Sequence, residues 1–151
     1  MLRIVIGDDI NMEDSSDIID CPLYIECEEL VFPCEGWIDF TYPVLEEWKY
    51  NLLSTRNSHE DRFMLYFHEG SYWMEIRKMD MELKISFVKD KQTVKEYVCD
   101  YYDLIDELYM AYKTFAKILY KNEKYQSRIS GAYSQIMQSI TELKTLLNHS
   151  H

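Results

Sequence analysis

The stretch TVKEYVCDYYDLIDELYMAYKTFAKIL, Thr93 to Leu119, decides how the rest of the chain is arranged. Its apolar residues recur at Val94, Val98, Tyr101, Ile105, Leu108, Tyr112, Phe115 and Leu119, in alternating steps of four and three. That spacing lays all eight along one stripe of an α-helix. Thr93 followed by Glu96 has the form of a capping box, in which the hydroxyl accepts a first-turn N–H while the carboxylate reaches back. Neither Gly nor Pro interrupts the run, and Lys113, Lys117 and Lys121 place positive charge where the helix dipole favours it. The spacing therefore predicts one helix from Thr93 to Leu119 whose stripe must be buried against a partner.

That partner follows in the sequence. After a polar break from Asn122 to Ser127, Ile129, Tyr133, Ile136, Ile140, Leu143 and Leu147 repeat the same steps. Two such stripes joined by a short loop predict an antiparallel helical hairpin. Tyr97, Leu104 and Phe115 widen the apolar face of the first helix toward a sheet. The sheet signal lies just upstream. Phe63 to His68 alternates, Glu69-Gly70-Ser71 reads as a hairpin turn, Tyr72 to Met79 alternates again, and Leu83, Ile85 and Phe87 face away from Glu82, Lys84 and Ser86. Three strands joined by short turns predict an antiparallel meander with one wet face.

Nearer the start, Leu2 to Ile6 reads as a strand, Asp8 to Asp20 as an acidic surface loop and Leu23 to Phe32 as a second strand. A turn with Pro33 and Gly36 carries Trp37 and Asp39. Pro43 then opens a helix with Val44, Leu45, Trp48 and Leu52 on its apolar side. The predicted order is β-β-α-β-β-β-α-α. The fold class is α+β: an antiparallel β-meander packed by a long C-terminal helix, with a C-terminal helical hairpin. At 151 residues the chain suits one domain, residues 1–151. Residues 1–92 would hold the sheet and one short helix, and residues 93–151 the helical hairpin.

Charge is distributed unevenly. The net charge is −11, and Met1 to Arg62 carries fifteen acidic and four basic residues, whereas the remainder carries twelve of each. A nucleic-acid binder needs cationic surface to displace counterions, so the balance excludes that class. It suits solubility, or steering toward a basic partner. Leu2 to Ile6 is too short for a secretory signal and Asp8 and Asp9 follow at once; no segment has the length to span a bilayer. The expectation is a cytoplasmic protein with no membrane contact, whose Cys21, Cys27, Cys34 and Cys99 are free thiols.

Catalytic and metal motifs are weak. Asp9, Asn11, Glu13, Ser15, Asp17 and Asp20 fall at EF-hand ligand positions, but Asp14 occupies the position that requires Gly and Asp20 stands where Glu belongs, so a solvated loop is the preferred reading. Cys21, Cys27 and Cys34 with His59 or His68 are spaced too widely for a zinc site. His68 beside Glu69 offers a general base with no nucleophile elbow or phosphate loop to serve. The reading is a protein that is not an enzyme and uses no metal or cofactor. Trp37, Asp39 and Trp48 form the most distinctive cluster, either plugging a core end or presenting an aromatic anchor rimmed by Glu35, Glu46 and Glu47.

The segment Phe32-Pro33-Cys34-Glu35-Gly36-Trp37-Ile38-Asp39 carries a resemblance. A Gly-Trp-x-Asp turn after an early strand, a short helix with Trp48, a meander with Phe63 and Phe67 and a closing helix rich in Tyr and Leu resemble the WapI-like immunity proteins of bacterial polymorphic-toxin systems. The likeness runs from Leu23 to Leu119 and leaves the last helix unmapped. It implies binding and neutralising a cognate toxin domain without chemistry. Many such toxins are nucleases with basic substrate channels, so an acidic inhibitor can stand in place of the phosphates. The expected contact residues are Asp8, Asp9, Glu13, Asp14, Asp17, Glu26, Glu28, Glu29, Glu35, Trp37 and Asp39. Two other classes compete: an adaptor acting through the helical hairpin, which would also form a homodimer through the C-terminal helices, and an acidic regulator holding a small ligand between sheet and helix.

Overall fold

The computed structural model describes residues 1–10, 20–122 and 130–149. Strands β1 (Leu2–Ile6), β2 (Asp20–Cys27), β3 (Leu30–Phe32) and β4 (Ile38–Phe40) form the first antiparallel sheet. Helix α1 (Thr41–Ser54) leads to the second, a meander of β5 (Arg62–Tyr66), β6 (Tyr72–Met79), β7 (Glu82–Lys89) and β8 (Gln92–Asp100). Helices α2 (Tyr101–Lys121) and α3 (Ser130–Asn148) close the chain. The fold is α+β, with antiparallel sheets and C-terminal helices.

The helix predicted from Thr93 begins only at Tyr101. Thr93 and Lys95 to Asp100 are instead paired to β7, with Ile85 opposite Tyr97 and Leu83 opposite Cys99, and the register shifts at Val94. Val94 and Val98 stand four apart, a spacing that fits a helix stripe and also one side of a strand. The strand prevails because β-branched and aromatic side chains suit a pleated surface and because β7 offers an open edge to pair with. Val94 and Val98 then face outward, about half exposed. The capping box is not formed; Asp100 is the N-cap, its carboxylate accepting the Tyr102 N–H at 2.7 Å. The division between sheet and helices accordingly falls after Asp100 rather than at residue 92. The reversal into β8 carries no Gly: Asp90 and Lys91 both take positive φ, 52° and 65°, as a two-residue primed turn requires.

The single strand expected from Leu23 to Phe32 is likewise two. Glu28 turns the chain with φ 56°, and Leu30 returns opposite Cys27. The long β2 pairs β1 on one side and, on the other, β3 near its C-terminal end and β4 near its N-terminal end. Thr41 ties β2 to the helix that follows β4: its Oγ1 accepts the Cys21 N–H at 3.1 Å and lies 3.2 Å from the Cys21 carbonyl, to which it donates.

The two sheets face each other across the core. Leu23, Ile25 and Phe32 of the first sheet and Leu65, Met74, Ile76, Ile85 and Phe87 of the second are fully buried. The Phe32 ring meets those of Phe67, Tyr72 and Phe87 edge-on, with centroids 5.3–5.9 Å apart. Helix α1 seals the outer edge of β5, where Asn51 Nδ2 donates to the Met64 carbonyl and Trp48 Nε1 to that of Tyr66. Helix α2 packs along β1 and against α3. A polar seam joins α1 to both C-terminal helices: the Tyr112 hydroxyl and the Ser139 hydroxyl both donate to Glu46, and Lys49 donates to Ser139. Burial, reinforced by Glu46, raises the Tyr112 phenol well above its ordinary value.

Candidate interaction surface

The Gly-Trp-x-Asp turn lies at the junction of the two sheets. Asp39 is 1% exposed and opposite Cys21 on the inner side of β4. Its carboxylate accepts four hydrogen bonds: from Trp37 Nε1 at 3.1 Å, its neighbour Phe40 N at 2.7 Å, His68 N at 3.2 Å and Glu69 N at 3.3 Å. The last two belong to the β5–β6 hairpin, so one side chain staples β4 to the second sheet. A buried carboxylate is tolerated because its lone pairs are used. Trp37 is half-buried with its ring 5.0 Å from that of Tyr72, and Gly70 fits beneath it because a Cβ there would meet the Tyr72 ring at 2.8 Å. Asp39, which the sequence reading places among the contact residues, is thus turned into the fold with its carboxylate engaged internally. Its indole partner Trp37 closes this junction from the side, with its N–H on the carboxylate. Trp48 is also internal, at 1% exposure.

The surface that does open to solvent nearby is the outer face of the first sheet. Burial alternates strictly along β2, with Cys21, Leu23, Ile25 and Cys27 inward and Asp20, Pro22, Tyr24 and Glu26 outward. Register places Val5 beside Tyr24, Ile38 beside Pro22, and Arg3 and Val31 on either side of Glu26. The centre of this face is thus apolar and aromatic, with Ile38 46% and Val31 37% exposed.

The expected acidic residues lie around it rather than in one cluster. Asp8 and Asp9 are exposed just past Gly7, whose N–H donates to the Pro22 carbonyl. Glu28 and Glu29 are exposed at the hairpin on the opposite end of β2, roughly 25 Å away along eight residues of strand. Glu35 is exposed in the turn between β3 and β4. Glu26 and Glu28 are already engaged, Glu26 with Arg3 at 2.8 Å and Glu28 with Lys95 at 2.8 Å. The Lys95 hydrogen bond holds the Glu28 carboxyl below its ordinary range. Glu13, Asp14 and Asp17 lie outside the described residues, as does most of the EF-hand-like loop. Sequence alternation marks Tyr24 as outward. Val31 and Ile38 carry no such signal, because they share the face only through pairing with β2.

The outer face of the meander has another character. Tyr66, Trp73 and Val88 form one row across it, Met64, Glu75, Ser86 and Glu96 the next, and Arg62, Arg77, Lys84 and Val98 a third. Arg62 pairs with Glu75 at 2.9 Å and Lys84 with Glu96 at 3.0 Å, so both carboxylates of the face are met within it, while Arg77 makes no ion pair among the described residues.

The remaining chemistry-bearing groups are dispersed. His68 Nε2 meets Glu47 Oε2 at 2.8 Å on α1. Among the described residues no three His, Cys, Asp or Glu side chains are grouped to hold a metal ion. Cys21 and Cys27 are buried, Cys99 is half-buried and Cys34 is exposed; all four are free thiols. Burial pushes Cys21 and Cys99 up to about 12. An acid-lined cavity of about 350 Å³ opens between β1, β8 and α2, with Met1, Tyr97, Cys99, Asp103 and Glu107 on its wall. Burial raises the Glu107 carboxyl, although the Ile4 N–H it accepts at 3.3 Å opposes the shift. No helix among the described residues is long and apolar enough to cross a membrane. No protein-family model, curated protein or solved structure matches this chain.

Proposed function

We propose that this chain is a non-catalytic immunity protein of the bacterial cytoplasm. It binds a cognate toxin domain through the outer face of its first sheet and blocks that domain by occupying it. The observation that carries the reading is the makeup of that face: an apolar centre at Val5, Pro22, Tyr24, Val31 and Ile38 inside a broken ring of carboxylates at Asp8, Asp9, Glu29 and Glu35. Stable interfaces have this anatomy, with desolvated apolar groups at the centre and charge at the rim. A rim of one sign accelerates encounter with a partner of the other, and a nuclease domain with a basic substrate channel is such a partner. Trp37 and Asp39 contribute from within, fixing β4 so that Ile38 is presented. Occupation needs no bond making, only fit.

The reading expects a toxin domain with a basic substrate channel to be encoded beside this protein, and that domain is the test partner. The wild-type chain should inhibit it at one-to-one stoichiometry, with an association rate that falls steeply as salt rises. The combined variant Asp8→Lys, Asp9→Lys, Glu29→Lys and Glu35→Lys should associate roughly tenfold or more slowly at low salt and with a flattened salt dependence. These four are chosen because Glu26 and Glu28 already hold Arg3 and Lys95. An unchanged association rate overturns the assignment of the face.

A further inference from the structure

Helix α2 turns its apolar stripe inward and a second stripe outward. Asp103, Asp106, Met110, Thr114, Lys117 and Lys121 are all exposed and follow one another in steps of three and four, so they share one face. The face is polarised. Its acids lie toward the N-terminal end and its lysines toward the C-terminal end, with Met110 between them, 46% exposed.

The helix dipole accounts for only part of this. It acts within the first and last turns, which contain Asp103 and Lys121. Asp106, Lys113 and Lys117 lie further in. Spacing within the helix is unfavourable as well. Asp103 and Glu107 stand four apart with like charge, as do Lys113, Lys117 and Lys121. Like charges at that spacing weaken a helix, and a helix stabilising itself would alternate the signs. Among the described residues none of these six side chains makes an ion pair. Lys113 and Lys117 instead rim an apolar groove of about 410 Å³ floored by Ala116, Met137 and Ile140.

The pattern is self-complementary about its centre. Lay a second α2 antiparallel on the first with the two Met110 side chains in contact. Asp103 then faces Lys117, Glu107 faces Lys113 and Asp106 faces Thr114, and each pair occurs twice. A parallel arrangement sets acid on acid and lysine on lysine. We infer that the outward stripe of α2 is an isologous interface, on which a second copy of this chain docks antiparallel about a two-fold axis at Met110. Opposite charges relieve the repulsion that each helix carries alone, and Met110 supplies the apolar contact at the axis. The helix is about 30 Å long, and its contact face is narrow and mostly charged. The dimer is accordingly weak, reversible and salt-sensitive. The interface lies on a different element from the first-sheet face, so it stands or falls independently of the proposed function.

Sedimentation velocity of the full chain at low salt tests this. The wild type should show a concentration-dependent monomer–dimer equilibrium that shifts to monomer in high salt. Two charge-reversed chains carry the decision: Lys113→Glu with Lys117→Glu, and Asp103→Lys with Glu107→Lys. Each should raise the dimer dissociation constant by about tenfold or more, and an equimolar mixture should recover a heterodimer. If a reversed chain melts early, the pair Cys34→Ser with Met110→Cys replaces it. Oxidation should then give a covalent dimer, which Cys34→Ser with Tyr50→Cys, on an exposed part of α1, should not. A wild type that stays monomeric at several hundred micromolar, or a dimer indifferent to both charge reversals, overturns the inference.

Discussion

The two sheets expose faces built on the same pleat and finished in opposite ways. The meander face pairs both of its carboxylates, Glu75 with Arg62 and Glu96 with Lys84, leaving Arg77 over, and lines Tyr66 up with Trp73 at a centroid distance of 6.1 Å. The first-sheet face holds the pair Arg3 on Glu26 beside an open apolar centre, and toward its ends Asp8, Asp9, Glu29 and Glu35 are exposed and make no ion pair among the described residues. A face whose charges are mutually satisfied gains little by meeting another surface, since each pair would have to be broken or desolvated. A face with apolar groups in the open and charge of one sign around them gains on both counts. The difference lies in which residues register brings side by side, not in composition.

The two faces are held in fixed relation by the Asp39 carboxylate, and Asp39 is the group to remove. Asp39→Ala leaves the Trp37 indole, two hairpin amides and the Phe40 amide without their acceptor. Each buried donor left unmade costs about 1–3 kcal/mol, and water will reach some of them, so the loss should total about 3–5 kcal/mol. Urea unfolding should show a lower midpoint with little change in slope. A loss under 1 kcal/mol would mean that the sheets are held together by apolar packing alone.

A smaller effect separates the faces from each other. Val31→Ala with Ile38→Ala trims the centre of the first-sheet face without touching the core. Binding to the proposed toxin partner should weaken by about 2 kcal/mol, roughly thirtyfold in Kd, mostly through faster dissociation. Tyr66→Ala on the meander face should leave Kd within a factor of two. Calorimetric titration distinguishes them, and the reverse result would move the docking face to the meander.

Much of this fold is legible in the residues, and the places that are not share a cause. Leu83, Ile85 and Phe87 alternate against Glu82, Lys84 and Ser86 in one register only, so β7 reads unambiguously. Val94 and Val98 satisfy two periods at once, and only the edge of β7 settles between them. The turns at Glu28 and Asp90 hide because they reach positive φ without Gly, at a local cost that pairing of the flanking strands offsets. Asp39 shows the same limit in the candidate site. Its place in a Gly-Trp-x-Asp turn marks it as distinctive, yet two of its four donors come from a hairpin some thirty positions further along the chain. The acids at Asp8, Asp9, Glu29 and Glu35 are visible as charge. That they ring Ile38 and Tyr24 is a fact of strand order, which local sequence does not carry.

The inner faces should differ less than the outer ones, and two thiols report on them. Cys21 faces inward from β2 and Cys99 from β8, and burial drives both from an ordinary value of 9.0 up to about 12. In the unfolded chain both ionise near 9. The sign follows: below pH 9 folded and unfolded thiols are alike protonated and stability is flat. As pH rises from 9 toward 12 only the unfolded chain releases these protons, so stability falls. The loss should be about 2–3 kcal/mol by pH 10, read as a drop in the urea midpoint relative to pH 8. Cys34, exposed in its turn, should react with a thiol reagent at once in the native protein, Cys21 only at the rate of unfolding, and the half-buried Cys99, on the wall of the acid-lined cavity, at a rate between the two. Fast native labelling of Cys99 but not Cys21 would show that the acid-lined cavity beside β8 opens to reagents, and that the two inner faces are as unlike as the outer pair.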